Sequence, residues 1–178
     1  DLKTDFLYHT LAVNDIRIAF ELSCRKFGFN LDWTSETTIR AARAYDQVVL
    51  RGERGYSQRV AVIPDAQFFI TTGQHRFGFA LEYDGGTMSL VRIKTKMLAY
   101  LEYLRSGKYQ QRWQSKSLRI LFVAVGERRL TNILELPKAI EGKRRFWGAL
   151  LSDISAETVL TKPIWRVPGD EVPLALLE

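Results

Sequence analysis

At 178 residues, with 46% hydrophobic and 26% charged side chains, the chain has the composition of a folded domain with a buried core, not of a disordered segment. Lysine and arginine outnumber the acids 26 to 20, a net charge of +6 that suits an anionic partner and also serves ordinary solubility. No apolar run reaches the roughly 20 residues that cross a bilayer, the opening Asp1-Leu2-Lys3-Thr4-Asp5-Phe6 lacks signal-peptide character, and the single Cys24 excludes an internal disulfide.

That cysteine usage suits a reducing, cytoplasmic setting. The first residue is not methionine, so a piece of a longer chain is expected. Residues 6–27 predict a helix. Leu7, Leu11, Ile18 and Leu22 recur at helical spacing, Ile16, Phe20, Cys24 and Phe27 widen the stripe, and Gly28 ends it. A shorter helix starts near Thr34 or Ser35, either of which can cap, and runs through Glu36, Ile39 and Ala42. Residues 45–58 read as a polar loop.

Strands are expected at 59–63, 68–70 and 77–84. Pro64-Asp65 separates the first two, and Gly85-Gly86 stops the third. Thr87 then caps a helix to about Ser106, with Leu90, Ile93, Met97, Leu101 and Leu104 buried. The near-continuous apolar run 118–125 predicts a central strand covered on both faces. Residues 127–141 look helical, kinked by Pro137, and 146–151 form a last strand. The result is an α/β fold: one domain over residues 1–178, a mixed central sheet of about five strands flanked by helices, and an irregular tail at 161–178. Trp33, Trp147 and Trp165 are expected in its core.

Acidic residues punctuate this pattern. Glu36 precedes the first predicted strand, Asp65 stands between the first two, and Glu82 and Asp84 end the third. Residues i and i+2 of a strand share a face, so Glu82 and Asp84 point the same way. A short turn makes the second and third strands antiparallel neighbours, which sets Asp65 beside them. Such carboxylates suit a hard divalent cation, Mg2+ or Mn2+ in its place. They equally suit solvated strand ends or ion pairs with arginine. Two histidines and one cysteine are too few for a structural zinc site, and no nucleophile elbow or phosphate loop is present. His75 follows a turn and reads as a surface residue.

The pattern resembles the PD-(D/E)xK phosphodiesterase superfamily, whose core order is helix, three strands, helix, strand. Pro64-Asp65 resembles its central aspartate, Glu82-Tyr83-Asp84 its third motif, and Glu36 the acid of its first core helix. More narrowly, the chain resembles the replication-relaxation family of plasmids and integrative elements over residues 6–150. The residues concerned are the run from His9 to Asp15, Trp33-Thr34-Ser35-Glu36, Pro64-Asp65-Ala66, the run from Leu81 to Thr87, and Lys96 with Tyr100. Members often carry an upstream winged-helix part, which is not among these residues.

One departure stands out. Asp84 occupies the place of the superfamily's lysine, which positions the attacking water. Some relatives move that lysine to the following helix, where Ser89, Arg92, Lys96, Tyr100 and Tyr103 share a face. Lys96, with Lys94 as the weaker alternative, can then reach the acids; the other reading is a solvated basic face.

Arg51, Arg54 and Arg59 surround the loop before Asp65, and Lys108, Arg112 and Lys116 interleave with Tyr109 and Trp113. Arg128-Arg129 and Lys143-Arg144-Arg145 add further charge. Basic side chains bind phosphates, and aromatics stack on bases or simply pack. The expected DNA contacts are Arg51, Arg54, Arg59, Arg92, Lys94, Tyr100, Lys108, Arg112 and Trp113.

The resemblance implies a DNA-binding protein of plasmid or mobile-element replication or transfer, with DNA and replication proteins as partners and no membrane. Three readings stay open. In the first, Asp65, Glu82 and Asp84 hold Mg2+, Glu36 supports through water, and Lys96 orients the nucleophile of a phosphodiesterase. In the second, the same fold is a catalytically inactive DNA-binding or replisome-recruiting accessory. In the third, the proline-containing tail docks a protein partner.

Overall fold

Five strands form a mixed sheet in the order β1-β4-β5-β6-β7 in the computed structural model, which describes residues 2–52 and 55–177. Helix α1 (Leu2–Phe27) leads into β1 (Asn30–Ser35) and the short α2 (Glu36–Ala41). A hairpin of β2 (Asp46–Arg51) and β3 (Ser57–Val62) follows. Strands β4 (Ala66–Thr72) and β5 (His75–Asp84) come next, then α3 (Leu90–Arg105), α4 (Lys108–Trp113), β6 (Arg119–Ala124), α5 (Glu127–Glu135) and β7 (Phe146–Leu150). Strand β4 is antiparallel to β1 and β5, whereas β5, β6 and β7 are parallel. The expected mixed α/β architecture is therefore present. No helix among the described residues is long and apolar enough to cross a membrane.

Alternation along β4 and β5 divides the core between the two faces of the sheet. Phe68, Ile70, Phe79 and Leu81 meet Ile16, Phe20 and Cys24 of α1 on one face. Ala80, Ile120 and Phe122 meet Ile93, Met97 and Tyr100 of α3 and Leu130 and Ile133 of α5 on the other. Strand β6, buried almost throughout, separates the two layers, as its continuous apolar run predicts.

Several expectations need correction. Of the two apolar stripes on α1, the sheet takes the one with Ala12, Ile16, Ala19, Phe20 and Cys24, and Leu7, Leu11, Ile18 and Leu22 face outward. The small side chains let the helix approach the sheet closely; apolar periodicity alone does not choose between stripes. Residues 30–35, unassigned in the sequence, form an edge strand whose partly buried Leu31 and Trp33 alternate with polar positions. The supposed polar loop at 45–58 is largely the β2–β3 hairpin, because Val48 and Val62 bury against the α3 side of the core. The strand before Pro64 consequently stands outside the central sheet. Ser89, not Thr87, caps α3 by accepting from the Arg92 amide at 3.3 Å. The C-terminal tail is irregular but not peripheral, since Trp165, Val167 and Leu176 lie in the core.

Strand β5 also carries a close approach. A β-carbon on Gly78 would stand 2.2 Å from the Ser117 carbonyl oxygen and 2.5 Å from the Tyr109 hydroxyl. Those two groups are themselves bonded at 2.8 Å, so neither yields easily. Gly78→Ala is expected to destabilise the fold by about 2–3 kcal/mol in urea unfolding through overpacking against backbone; an unchanged midpoint contradicts this packing.

Candidate functional site

Asp65 precedes β4 and bonds through all four of its polar atoms. Its amide donates to the Leu81 carbonyl at 3.0 Å, and its carbonyl accepts from the Glu36 amide at 2.9 Å. Its Oδ2 accepts from the Tyr83 amide at 2.7 Å, and its Oδ1 lies 3.1 Å from His9 Nε2. One residue thus ties α1, α2 and β5 together. The place is the carboxyl end of β5, where the sheet leaves groups open to a ligand.

Among the described residues, His9, Glu36 and Asp65 offer one imidazole nitrogen and two carboxylate oxygens that lie within 4.8 Å of one another. All three are half-buried. The hydrogen bond to Asp65 holds the His9 imidazolium above its usual range, against the effect of burial and with help from the charges of Asp65, Glu36 and Glu82. Ser35 caps α2 by accepting from the Thr38 amide at 3.2 Å, which places Glu36 in the first turn. Arg40 bonds Glu36 at 2.7 Å from one turn along.

Glu82 lies behind this group, nearly inaccessible on β5. Lys96 Nζ bonds its Oε2, and the Tyr100 hydroxyl donates to its Oε1 at 2.5 Å. Burial pushes the Glu82 carboxyl up to about 7, aided by the charge of Asp65 and opposed by Lys96 and Tyr100. Burial works against the Lys96 ammonium, but the charges of Glu82, Asp65 and Glu36 outweigh it and raise its pKa. Lys96 is therefore a firmly protonated cation at an acidic site.

Asp84 shares the face of Glu82 but has a different partner. Arg129 of α5 bonds both its carboxylate oxygens and the Met88 carbonyl. Asp84 does not join the His9 group. Glu36 comes from α2, after β1, rather than from the first core helix; the residue that α1 contributes is His9. The acid pattern of the sequence does not single out His9. Its signal lay in helical spacing, because 9, 12, 16 and 20 fall on the face that α1 turns to the sheet.

The expected DNA contacts divide. Arg51 and Arg59 are exposed on the hairpin, and Arg92 and Lys94 are exposed on the first turns of α3. Arg54 lies outside the described residues. Tyr100 is buried against Glu82 and has no surface to offer. Arg112 makes a bidentate pair with Asp46 at 2.5 and 2.9 Å, and Lys108 donates to the Gln47 carbonyl at 2.7 Å, so both brace the hairpin. Trp113 packs beside Phe69, and Tyr109 is fully buried.

As to which ion fits these donors, the Asp65–Glu82–Asp84 set expected for Mg2+ is taken up by internal partners at Glu82 and Asp84. The His9–Glu36–Asp65 set is compact, but its imidazole suits Mn2+, Zn2+ or Co2+ better than Mg2+.

The buried pair yields a pH test. Glu82 has a folded pKa of about 7 against an ordinary 4.5, so its contribution favours the fold below 4.5 and is lost as pH rises through 7. Lys96→Met removes the cation that offsets this loss. Urea unfolding is expected to show a loss of about 3 kcal/mol at pH 8 and clearly less at pH 5, where Glu82 is held as the neutral acid. An equal loss at both pH values contradicts the pairing.

No curated protein and no solved structure matches the chain. A family model, replication-relaxation, matches residues 2–115, which span α1 through α4 and include His9, Glu36, Asp65, Glu82 and Lys96. The chain belongs to the replication-relaxation family.

Proposed function

We propose that this is a DNA-handling protein of plasmid or mobile-element replication and that its site is a metal-dependent phosphodiesterase centre of the PD-(D/E)xK kind. The observation that carries the reading is the meeting of His9, Glu36, Glu82 and Lys96, from four elements, with Asp65 of the β3–β4 connection at one end of the sheet. The order α1, β1, β4, β5, α3, β6, with α2 and the β2–β3 hairpin inserted after β1 and the short α4 before β6, is compatible with the superfamily's helix, three strands, helix, strand.

His9, Glu36 and Asp65 would hold a divalent ion. Such an ion supplies charge neutralisation at a scissile phosphate and lowers the pKa of bound water. Lys96, reaching the site from α3, adds the positive charge that Asp84 cannot. Glu82 fixes the Lys96 ammonium in place, and Tyr100 fixes Glu82. The exposed Arg92, one turn before Lys96 on α3, and the hairpin's Arg51 and Arg59 offer phosphate contacts that weaken with salt.

A second reading, an inactive DNA-binding accessory, is favoured by one observation: both oxygens of Glu82 and both of Asp84 are already bonded within the protein.

Nicking of supercoiled plasmid separates the two. The native chain is expected to nick with Mn2+, and Asp65→Asn and His9→Ala to reduce the rate by about 100-fold or more while retaining the native circular dichroism. No nicking with Mn2+ or Mg2+, or undiminished nicking by Asp65→Asn, overturns the phosphodiesterase reading. Salt-sensitive DNA binding without nicking establishes the accessory.

A further inference from the structure

The β2–β3 ribbon stands outside the central sheet and buries only one of its faces. Val48 and Val62 are buried, and Leu50 and Val60 partly so, all against the α3 side of the core. Alternation turns the other side chains outward. They are Gln47, Val49 and Arg51 on β2 and Ser57, Arg59 and Ala61 on β3, every one exposed. The register sets them in three cross-strand pairs, Gln47 with Ala61, Val49 with Arg59, and Arg51 with Ser57.

Charge and shape together select the partner of this face. It carries two guanidiniums and no carboxylate, in a chain with 20 acids, and so suits a polyanion. The acid of β2, Asp46, lies on the inner face, where Arg112 and the Tyr103 hydroxyl hold it. A two-stranded ribbon is also the β-structure that the major groove of duplex DNA, about 12 Å wide, admits. Successive outward pairs lie two residues apart, about 6.8 Å. That spacing equals two steps of a duplex that rises about 3.4 Å per base pair.

The side chains match what base edges offer in that groove. The guanidiniums that draw in a phosphate backbone also donate to O6 and N7 of guanine once the ribbon is seated. The Gln47 amide complements N6 and N7 of adenine, and Val49 and Ala61 can meet the thymine methyl. Reading bases requires a rigid support. The base of the ribbon has one, because Arg112 pairs with Asp46 at 2.5 and 2.9 Å and Lys108 donates to the Gln47 carbonyl at 2.7 Å. Arg59 precedes Asp65 by six residues. At most about 20 Å of extended chain, or roughly six base pairs, therefore separates the ribbon from the His9–Glu36–Asp65 group. One duplex reaches both.

We infer that the outward face of the β2–β3 ribbon lies in the major groove of duplex DNA and reads base sequence there through Gln47, Arg51 and Arg59. The inference deepens the DNA-handling reading, on which it rests, and holds whether or not the centre cuts.

Selection by the full chain from a random-sequence duplex library, with EDTA present, tests it. A preferred site of about five base pairs is expected, the span of the three outward pairs. Arg51→Lys and Arg59→Lys keep the charge but lose the bidentate fork. Each is expected to lower the preference for the selected duplex over a scrambled one by about 10- to 100-fold. The salt dependence of binding to the scrambled duplex should stay unchanged. Both positions are exposed, so circular dichroism should match the native chain. Methylation of guanine N7, in the major groove, should block binding, and methylation of adenine N3, in the minor groove, should not. Binding without a preferred sequence, a preference unmoved by both substitutions, or interference at adenine N3 alone overturns the ribbon's role and leaves DNA handling standing. Failure to bind any duplex at low salt overturns both.

Discussion

The four bonds of Asp65 are the constraint on which the site depends. The backbone passes from the β2–β3 hairpin into the central sheet at Pro64-Asp65, and there the chain must turn from one layer to another. Its amide and carbonyl set the start of β4 between β5 and α2, and its carboxylate reaches across to the Tyr83 amide and to His9. A side chain bonded to a backbone amide within the sheet is positioned by the sheet's own register. The site therefore inherits its precision from the β4–β5 ladder and not from a loop.

Behind Asp65 the electrostatics are layered. The deeper layer is closed: Glu82, Lys96 and Tyr100 satisfy one another under cover of α3, and among the described residues no buried side-chain polar atom lacks a partner. Burial raises the cost of charge on Glu82, and Lys96 supplies the compensating charge. The outer layer of His9, Glu36 and Asp65 is half-buried and stays within reach of solvent. A closed inner layer beneath an open outer one is a division suited to a ligand held at the protein surface, as the proposed phosphodiesterase centre requires. Arg129 draws Asp84 out of both layers toward α5.

Much of this was legible in the residues. The apolar run of β6, the alternation and glycine stop of β5, and the stripe of α3 each follow from a periodicity that burial imposes. The punctuation at Pro64-Asp65 marked the acid whose bonds join α1, α2 and β5. What was not legible has physical causes. An edge strand with two inward side chains, such as β1, carries a weak alternation. The hairpin's Val48 and Val62 gain their burial from α3, far along the chain. A helix with two apolar stripes does not declare which one the sheet will take. The partners of Asp84 and Glu82 were equally open, because Arg129 and Lys96 lie among many basic residues and only the packing of α5 and α3 selects them. His9 was hidden because a lone histidine on a core-facing stripe looks like packing.

In the proposed centre the half-buried histidine and two carboxylates, not the acids of β5, receive a divalent ion. Crystals grown with Mn2+ and measured at an X-ray wavelength where manganese scatters anomalously locate the ion directly. An anomalous peak bounded by His9, Glu36 and Asp65 is expected, with Glu82 still bonded to Lys96. A peak beside Asp84, or none under saturating Mn2+, would contradict it.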